Sequence, residues 1–194
     1  MKLVKIAVFL LFTSLGTTFA QNQDLIPNRT EANKIDIEKL SFIENSPSEK
    51  QLFVVIFVGT DCPISQKYVH TLRTMYEKYE SGVEFIGIIP HNFSEEKITN
   101  FKQEYRIPFE LIKDQENKIA KALHASVTPE VFFFNRSGNL FYDGAIDNWF
   151  FALGKNRRKA SEHYLKDAIE NVQLGAPVMV SHRDAVGCFI ELKH

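Results

Sequence analysis

A run of apolar residues that leads directly into a cysteine and a proline constrains this chain more than any other feature. Residues 52–58 read Leu-Phe-Val-Val-Ile-Phe-Val, and a continuous run of β-branched and aromatic residues is typical of a strand buried on both faces of a sheet. Gly59 ends the run, and Pro63 suits the first turn of a helix, where its missing N–H costs nothing. The sequence therefore predicts a buried strand followed by a helix, with Cys62 at the junction.

The remaining patterns alternate in the same way and predict an α/β fold with a mostly parallel sheet, helices on both faces and an antiparallel hairpin at one edge. Segments 35–37 and 40–43 favour a short edge strand before the first buried strand. The other predicted elements are a helix from Pro63 to Gly82, a strand at 83–89, a helix capped by Ser94, a strand at 109–112, a helix around 119–123, strands 131–134 and 140–142 joined by a turn at 135–138, and a helix capped by Ser161 and ended by Gly175.

The first twenty residues have the pattern of a secretory signal peptide: two lysines, a short apolar run at 6–12 and small residues at 18–20. A membrane anchor is the alternative, but the run is shorter than the ~20 residues that span a bilayer. We therefore expect an exported, periplasmic protein without a membrane span in the mature chain. The predicted organisation is a signal peptide at 1–20, a linker at 21–34, one domain at 35–175 and a C-terminal tail at 176–194.

The chain has two cysteines, Cys62 and Cys188, and a formal net charge of -1 that gives no indication of a nucleic-acid partner. The thiolate is the reactive form of a cysteine, and a helix N-terminus favours it. Cys62 is therefore a candidate nucleophile, although Asp61 would oppose ionisation if its carboxylate faced the sulfur. The alternative is a buried, inert cysteine.

Cys188 lies in the predicted tail beside Gly187, which permits close approach of the backbone. In an oxidising compartment the two cysteines can pair. Cys188 is then either a resolving thiol that attacks Cys62 after a first exchange, or half of a structural staple worth ~4–5 kcal/mol in the chain-entropy model. Two unpaired thiols are the third alternative.

Two motifs give the chain a resemblance to a known fold family. Residues 62–65, Cys-Pro-Ile-Ser, resemble the Cys-x-x-Cys site of thioredoxins, and residues 127–130, Val-Thr-Pro-Glu, resemble their Thr-Pro loop. Residues 94–112 resemble the insertion of peroxiredoxins and periplasmic redoxins. More closely, the chain is similar to bacterial redoxin-domain proteins of the alkyl-hydroperoxide-reductase/thiol-specific-antioxidant group, which share its motifs at 60–63, 128–130, 146–150 and 185–188.

The resemblance implies a thioredoxin-like fold with an extra helix and strand, and a cis bond before Pro129 that packs beside the reactive cysteine. It also implies that an extended substrate chain could pair with the backbone of Thr128. The resulting site prediction has two parts. The candidate catalytic residues are Cys62, Cys188, Thr60, Pro63 and Ser65, and the candidate substrate-binding residues are Thr128 and Pro129.

Three departures from the family patterns bear on the activity. Ser65 replaces the second thioredoxin cysteine, so it cannot resolve a mixed disulfide but can donate a hydrogen bond to the Cys62 thiolate. Val55 and Gly59 stand where peroxiredoxins carry a proline and a threonine. The sequence therefore favours a thiol–disulfide oxidoreductase without a cofactor, acting on protein or small-molecule thiols and disulfides.

Two other functions stay open at this point. A thiol peroxidase would use the same two cysteines. A copper-binding or non-catalytic module is the other alternative, and soft Cu(I) would then be held by Cys62, Cys188 and His124.

Overall fold

A computed structural model describes residues 34–90 and 93–192, so the predicted signal peptide and nearly all of the predicted linker lie outside the described residues. The helices are α1 (Ser41–Glu44), α2 (Pro63–Tyr79), α3 (Glu95–Glu104), α4 (Lys118–Leu123) and α5 (Tyr164–Gln173), with 3-10 turns at Ile37–Lys39 and Gln115–Asn117. The strands are β1 (Leu52–Phe57), β2 (Val83–Pro90), β3 (Glu110–Asp114), β4 (Val127–Thr128), β5 (Glu130–Asn135), β6 (Leu140–Gly144), β7 (Phe150–Ala152), β8 (Lys155–Asn156), β9 (His182–Arg183) and β10 (Cys188–Phe189).

The central sheet has the strand order β3-β2-β1-β5-β6-β9. Strands β1, β2 and β3 are parallel to one another, whereas β5 runs antiparallel to both β1 and β6. The predicted α/β alternation and the predicted hairpin are therefore confirmed. The tail adds an unpredicted edge strand, because β9 pairs with β6 in parallel.

Side chains of β1 alternate between two apolar layers, which explains why nearly the whole strand is hydrophobic. Val54 and Ile56 pack on the face covered by α2, α3 and α5. Phe53, Val55 and Phe57 pack on the opposite face with residues of α1 and α4. No helix in the described parts of the chain is long and apolar enough to cross a bilayer.

Two local predictions were wrong. The segment predicted as an edge strand forms the first 3-10 turn and α1, because Leu40 and Ile43, three residues apart, are both fully buried beneath the sheet. Ser161 does not cap the last helix: His163 occupies the N-cap position without a side-chain hydrogen bond, and Ser161 instead exchanges hydrogen bonds with the side chain of Asn148. The predicted cap of α3 is confirmed, because the Ser94 hydroxyl accepts the Lys97 N–H.

Candidate functional site

The first functional side chain stands where the sequence placed it, between the end of β1 and the start of α2. Cys62 is the N-cap of α2, and Pro63 occupies the first helical position. A turn closed by the Cys62 N–H and the Gly59 carbonyl (3.2 Å) brings the chain from the strand into the helix. The sulfur thus lies at the positive end of a 17-residue helix, and the residue is 4 % exposed.

Cys188 reaches Cys62 from the other end of the chain. Strand β10 pairs antiparallel with β4, which sets Cys188 opposite Thr128 and Phe189 opposite Val127. The two sulfurs are 2.6 Å apart, and both cysteines are free thiols. The expected meeting of the only two cysteines is therefore confirmed as a contact.

The Thr-Pro loop forms the third side of the site. The Thr128–Pro129 peptide bond is cis, as predicted, and the Thr128 carbonyl accepts a hydrogen bond from the Cys62 thiol at 3.0 Å. Buried Glu130 fixes the loop, because its carboxylate accepts the N–H groups of Ser126 and Val127. Burial raises the pKa of Glu130 against the effect of those hydrogen bonds.

The two thiols of the pair differ in acidity. Burial of Cys62 favours the neutral form, but hydrogen bonds from the Cys188 thiol and from the backbone and side chain of Ser65 outweigh it and lower the pKa of Cys62. Burial and the neighbouring charge of Cys62 raise the pKa of Cys188 to about 12. Cys62 therefore ionises first, while Cys188 stays protonated and donates a hydrogen bond to the thiolate.

Ser65 occupies the position of the second thioredoxin cysteine and is fully buried. Its hydroxyl oxygen accepts the Gly59 N–H at 3.2 Å, which leaves the hydroxyl proton for the Cys62 sulfur. The lowering effect of Ser65 on the pKa of Cys62 is consistent with the sequence-based prediction that its hydroxyl donates a hydrogen bond to the thiolate.

The sequence left open whether the Asp61 carboxylate faces the Cys62 sulfur and opposes its ionisation. In the structure, Asp61 does not contribute to the pKa shift of Cys62. Its carboxylate pairs with the Lys97 ammonium at 2.6 Å, and this hydrogen bond lowers the pKa of Asp61. The Thr60 hydroxyl also donates to Asp61, at 3.2 Å, while the Thr60 carbonyl accepts the Gln66 amide. Lys97, on α3, has no sequence spacing that links it to Asp61, so sequence reasoning missed it.

His124 lies apart from this arrangement. It is the exposed left-handed residue that ends α4. Within the described ranges, no three His, Cys, Asp or Glu side chains are grouped in a way that could hold a metal ion. The three residues considered for Cu(I) are therefore not assembled as a cluster here.

A cavity of about 140 Å³ opens beside the sulfurs. It is lined by Gly59, Asp61, Cys62, Pro90, Phe93, Thr128, Cys188, Phe189, Ile190 and Glu191. A cavity that contains both sulfurs and has polar groups at its rim is suited to a small sulfur or oxygen compound rather than to a large ligand.

Gly187 makes the approach of the tail possible, as its position beside Cys188 suggested. A Cβ atom at this residue would lie 2.3 Å from the Thr128 carbonyl oxygen, a distance at which something must shift. A glycine is therefore required where the tail crosses the Thr-Pro loop.

The sheet order, the cis-proline loop and the cysteine at the start of α2 define a thioredoxin-like protein with two thiols in contact at its site. A profile of the AhpC/TSA family matches residues 23–142, which is more than half of the chain. The chain belongs to the AhpC/TSA family.

Individual relatives agree with that assignment. The chain is 34% identical over 73 residues to the chloroplastic peroxiredoxin Q of Suaeda salsa, a match that covers 37% of this chain and 33% of the relative. The chain thus spans about a third of the length of the curated relatives it matches.

Solved structures agree in fold. A hypothetical protein from Sinorhizobium meliloti 1021 superposes with a TM-score of 0.68 at 23% identity, covering 79% of this chain and 84% of that chain. A thioredoxin-like protein in the oxidized form gives a TM-score of 0.51 at 12% identity, covering 66% of this chain and 80% of its own. At these identities the likeness concerns the fold alone.

Proposed function

We propose that this protein is a thiol–disulfide oxidoreductase in which Cys62 is the nucleophile and Cys188 the resolving cysteine. The observation that carries the proposal is the 2.6 Å contact between two sulfurs that are 126 residues apart in the sequence. A contact of that kind needs a dedicated path of the tail, which Gly187 and the β4–β10 pairing supply. The lowered pKa of Cys62 and the raised pKa of Cys188 support the order of roles.

In the first step, the Cys62 thiolate attacks one sulfur of a disulfide substrate. A bond forms between Cys62 and that sulfur, the substrate S–S bond breaks, and the other sulfur leaves as a thiolate that takes a proton from solvent. Hydrogen bonds from Cys188 and Ser65 stabilise the Cys62 thiolate before it attacks. In the proposed site, Pro63 fixes the start of the helix, Thr60 holds the preceding turn, and Thr128 with Pro129 forms the wall against which the substrate lies.

In the second step, Cys188 attacks the Cys62 sulfur of the mixed disulfide. The negative charge that raised the pKa of Cys188 is gone once Cys62 is bonded to the substrate, so Cys188 loses its proton more readily than in the reduced pair. A Cys62–Cys188 disulfide forms and the second substrate thiolate leaves. The protein is oxidised by two electrons and the substrate disulfide is reduced to two thiols; the reverse sequence would oxidise a dithiol.

Export to the periplasm is part of the proposal, and it rests on the pattern of residues 1–20. An oxidising compartment would allow the cysteine pair to cycle with protein or small-molecule thiols as partners. To test this location, a protease is added to intact cells and the protein is followed before and after disruption of the outer membrane. A periplasmic protein is protected in intact cells and is released when the outer membrane is disrupted.

A thiol peroxidase is the second candidate, and the peroxiredoxin name of the curated relative favours it. The Cys62 thiolate would attack a peroxide oxygen, water or an alcohol would leave, and Cys188 would convert the sulfenate to the same disulfide with loss of water. Against it, Val55 and Gly59 replace two residues of the peroxiredoxin motif, and the Thr60 hydroxyl donates to Asp61.

The two functions are separated by the oxidant that the reduced protein consumes. Fully reduced protein is mixed with a small disulfide or with hydrogen peroxide, and the remaining thiols are counted over time. We expect faster loss of both thiols with the disulfide, and trapping of a stable mixed disulfide in a Cys188→Ser variant. Faster loss with peroxide, together with a sulfenate in Cys188→Ser, would favour the peroxidase, and a Cys62→Ser variant controls for direct reaction of Cys188.

A further inference from the structure

The segment of the tail that carries Cys188 is held to the domain on both sides of the cysteine. Residues 182–191, called the strap below, begin with β9, which pairs with β6 at the sheet edge. On the other side of Cys188, the Ile190 N–H donates to the Ser126 carbonyl and the Asn117 amide donates to the Glu191 carbonyl. Ile190 is itself 8% exposed and packs into the α1–α4 layer. The strap is therefore a docked strand rather than a loose end.

The strap occupies the backbone edge beside Cys62. An extended polypeptide can add to an exposed edge as a new strand through main-chain hydrogen bonds. Here β10 already pairs with Val127 and Thr128, and Gly187 packs against the Thr128 backbone. A substrate chain cannot pair with the same edge while the strap is in place.

A smaller reagent has a different route. The cavity of about 140 Å³ reaches Cys62 and Cys188 from the side of Asp61, Phe93 and Glu191. Cys62 is 4% exposed with the strap docked, so a reagent has to bring one sulfur into this cavity. The bulk of an extended peptide chain on both sides of a cysteine would collide with the strap.

We propose that the strap makes the docked protein selective for small disulfides, and that a disulfide between polypeptides reacts with Cys62 only after the strap leaves the Thr128 edge. The proposal rests on the proposed exchange function and names its substrate class. The chemistry is unchanged: the Cys62 thiolate forms a bond to one substrate sulfur, and the other sulfur leaves as a thiolate.

The test measures the first step alone. In a Cys188→Ser background, mixed-disulfide formation at Cys62 is followed by mass with 2-hydroxyethyl disulfide and with a short unstructured peptide dimerised through one disulfide. Each rate is divided by the rate of the same disulfide with a free thiol, which removes intrinsic differences in reactivity. We expect a much higher normalised rate for the small disulfide.

Two variants then loosen the strap. Gly187→Ala places a Cβ against the Thr128 carbonyl. Asn117→Gly removes the amide that donates to the Glu191 carbonyl, and a glycine tolerates the left-handed backbone of that residue. Gly82→Ala is the matched control, because a Cβ there meets the Gln173 amide at an ordinary 3.4 Å. The peptide disulfide reacts only with molecules whose strap is released, so its rate rises with the released fraction. In the two strap variants we therefore expect the peptide rate to rise at least about tenfold and the rate of the small disulfide to change less than about twofold.

Equal normalised rates for the two disulfides in the parent, or a rate ratio that neither strap variant changes, would overturn the proposal. Failure of the underlying function has a different result. In that case neither disulfide modifies Cys62 in any variant, although amide exchange at residues 188–190 still shows the strap docked in the parent and released in the variants.

Discussion

Two thiols in contact cannot ionise equally, because a charge on one sulfur disfavours a charge on the other. In this protein the asymmetry comes from the helix start and from the donors on each side. Cys62 stands at the positive end of α2 and accepts hydrogen bonds from Cys188 and Ser65, whereas the charge that Cys188 faces is that of Cys62. The nucleophile and the resolving thiol are therefore distinguished by position before any substrate arrives.

Ser65 is the residue whose contribution can be removed most cleanly. A Ser65→Ala change deletes a hydroxyl that stabilises the Cys62 thiolate, so we expect the pKa of Cys62 to rise and its alkylation at neutral pH to slow several-fold. The measurement is the rate of alkylation against pH in a Cys188→Ser background. Thr74→Ala is the control, since it removes a hydroxyl of the same helix that donates to the His70 carbonyl. An unchanged pH profile in Ser65→Ala would show that the hydroxyl does not support the thiolate.

At the scale of elements, α2 is tied to the 146–150 motif as well as to the sheet. The Tyr68 hydroxyl donates to the buried Asp147 carboxylate at 2.6 Å, and the Trp149 N–H donates to the same oxygen at 2.8 Å. The Tyr68 ring packs against the rings of Trp149 and Phe150. This motif therefore holds the helix that begins at Cys62.

Removal of the Tyr68 hydroxyl leaves Asp147 buried with one donor fewer. We expect Tyr68→Phe to lower the free energy of unfolding by about 1–3 kcal/mol, the usual penalty for a buried polar group that loses its partner. Urea denaturation measures it. The control is Tyr164→Phe, whose hydroxyl donates to an exposed Glu162, and it should change stability by less than ~0.5 kcal/mol. Equal effects of the two changes would contradict a special role for the Tyr68–Asp147 pair.

The attachment of the strap at β9 has a pH-sensitive contact. His182 lies between two carboxylates, with Nδ1 2.7 Å from Asp143 and Nε2 3.1 Å from Asp184, and Glu130 contributes a further electrostatic interaction. Partial burial opposes protonation, but the hydrogen bonds to Asp143 and Asp184 outweigh it and raise the pKa of His182 above 6.5. Since the folded state binds the proton more tightly, this contact stabilises the strap fully below pH 6.5 and is lost as the pH rises through the raised value.

We therefore expect amide exchange in residues 182–190 to accelerate as the pH is raised from 6 towards 8, beyond the intrinsic change measured on an unstructured peptide. A His182→Gln variant should lose that extra acceleration, because a glutamine keeps hydrogen bonds but does not titrate. Persistence of the full effect in His182→Gln would assign the pH dependence to another group. Exchange in β1, whose strand pairing is with β2 and β5 rather than with the strap, serves as the internal reference.

At the scale of the whole molecule, the elements built from long apolar runs could be predicted from the sequence, whereas the strands of only two residues could not. Strands β1 and β2 and helix α2 have enough periodic residues to be predicted from sequence, and Cys62 follows from their junction. Strands β9 and β10 have two residues each, and their pairing depends on partners far away in the sequence. The meeting of Cys62 and Cys188 was predictable from their scarcity, but the strap that joins them was visible only in three dimensions. The Asp61–Lys97 pair was missed for the same reason.

The central claim is that an oxidising substrate converts the two thiols into one reversible bond within the chain. The most direct measurement is peptide mapping by mass after the reduced protein has been treated with a small disulfide, alkylated and digested. We predict one peptide pair joined through Cys62 and Cys188, which a dithiol separates and a second treatment restores. A substrate adduct that stays on Cys62 in the presence of free Cys188, or the absence of any joined pair, would contradict the account.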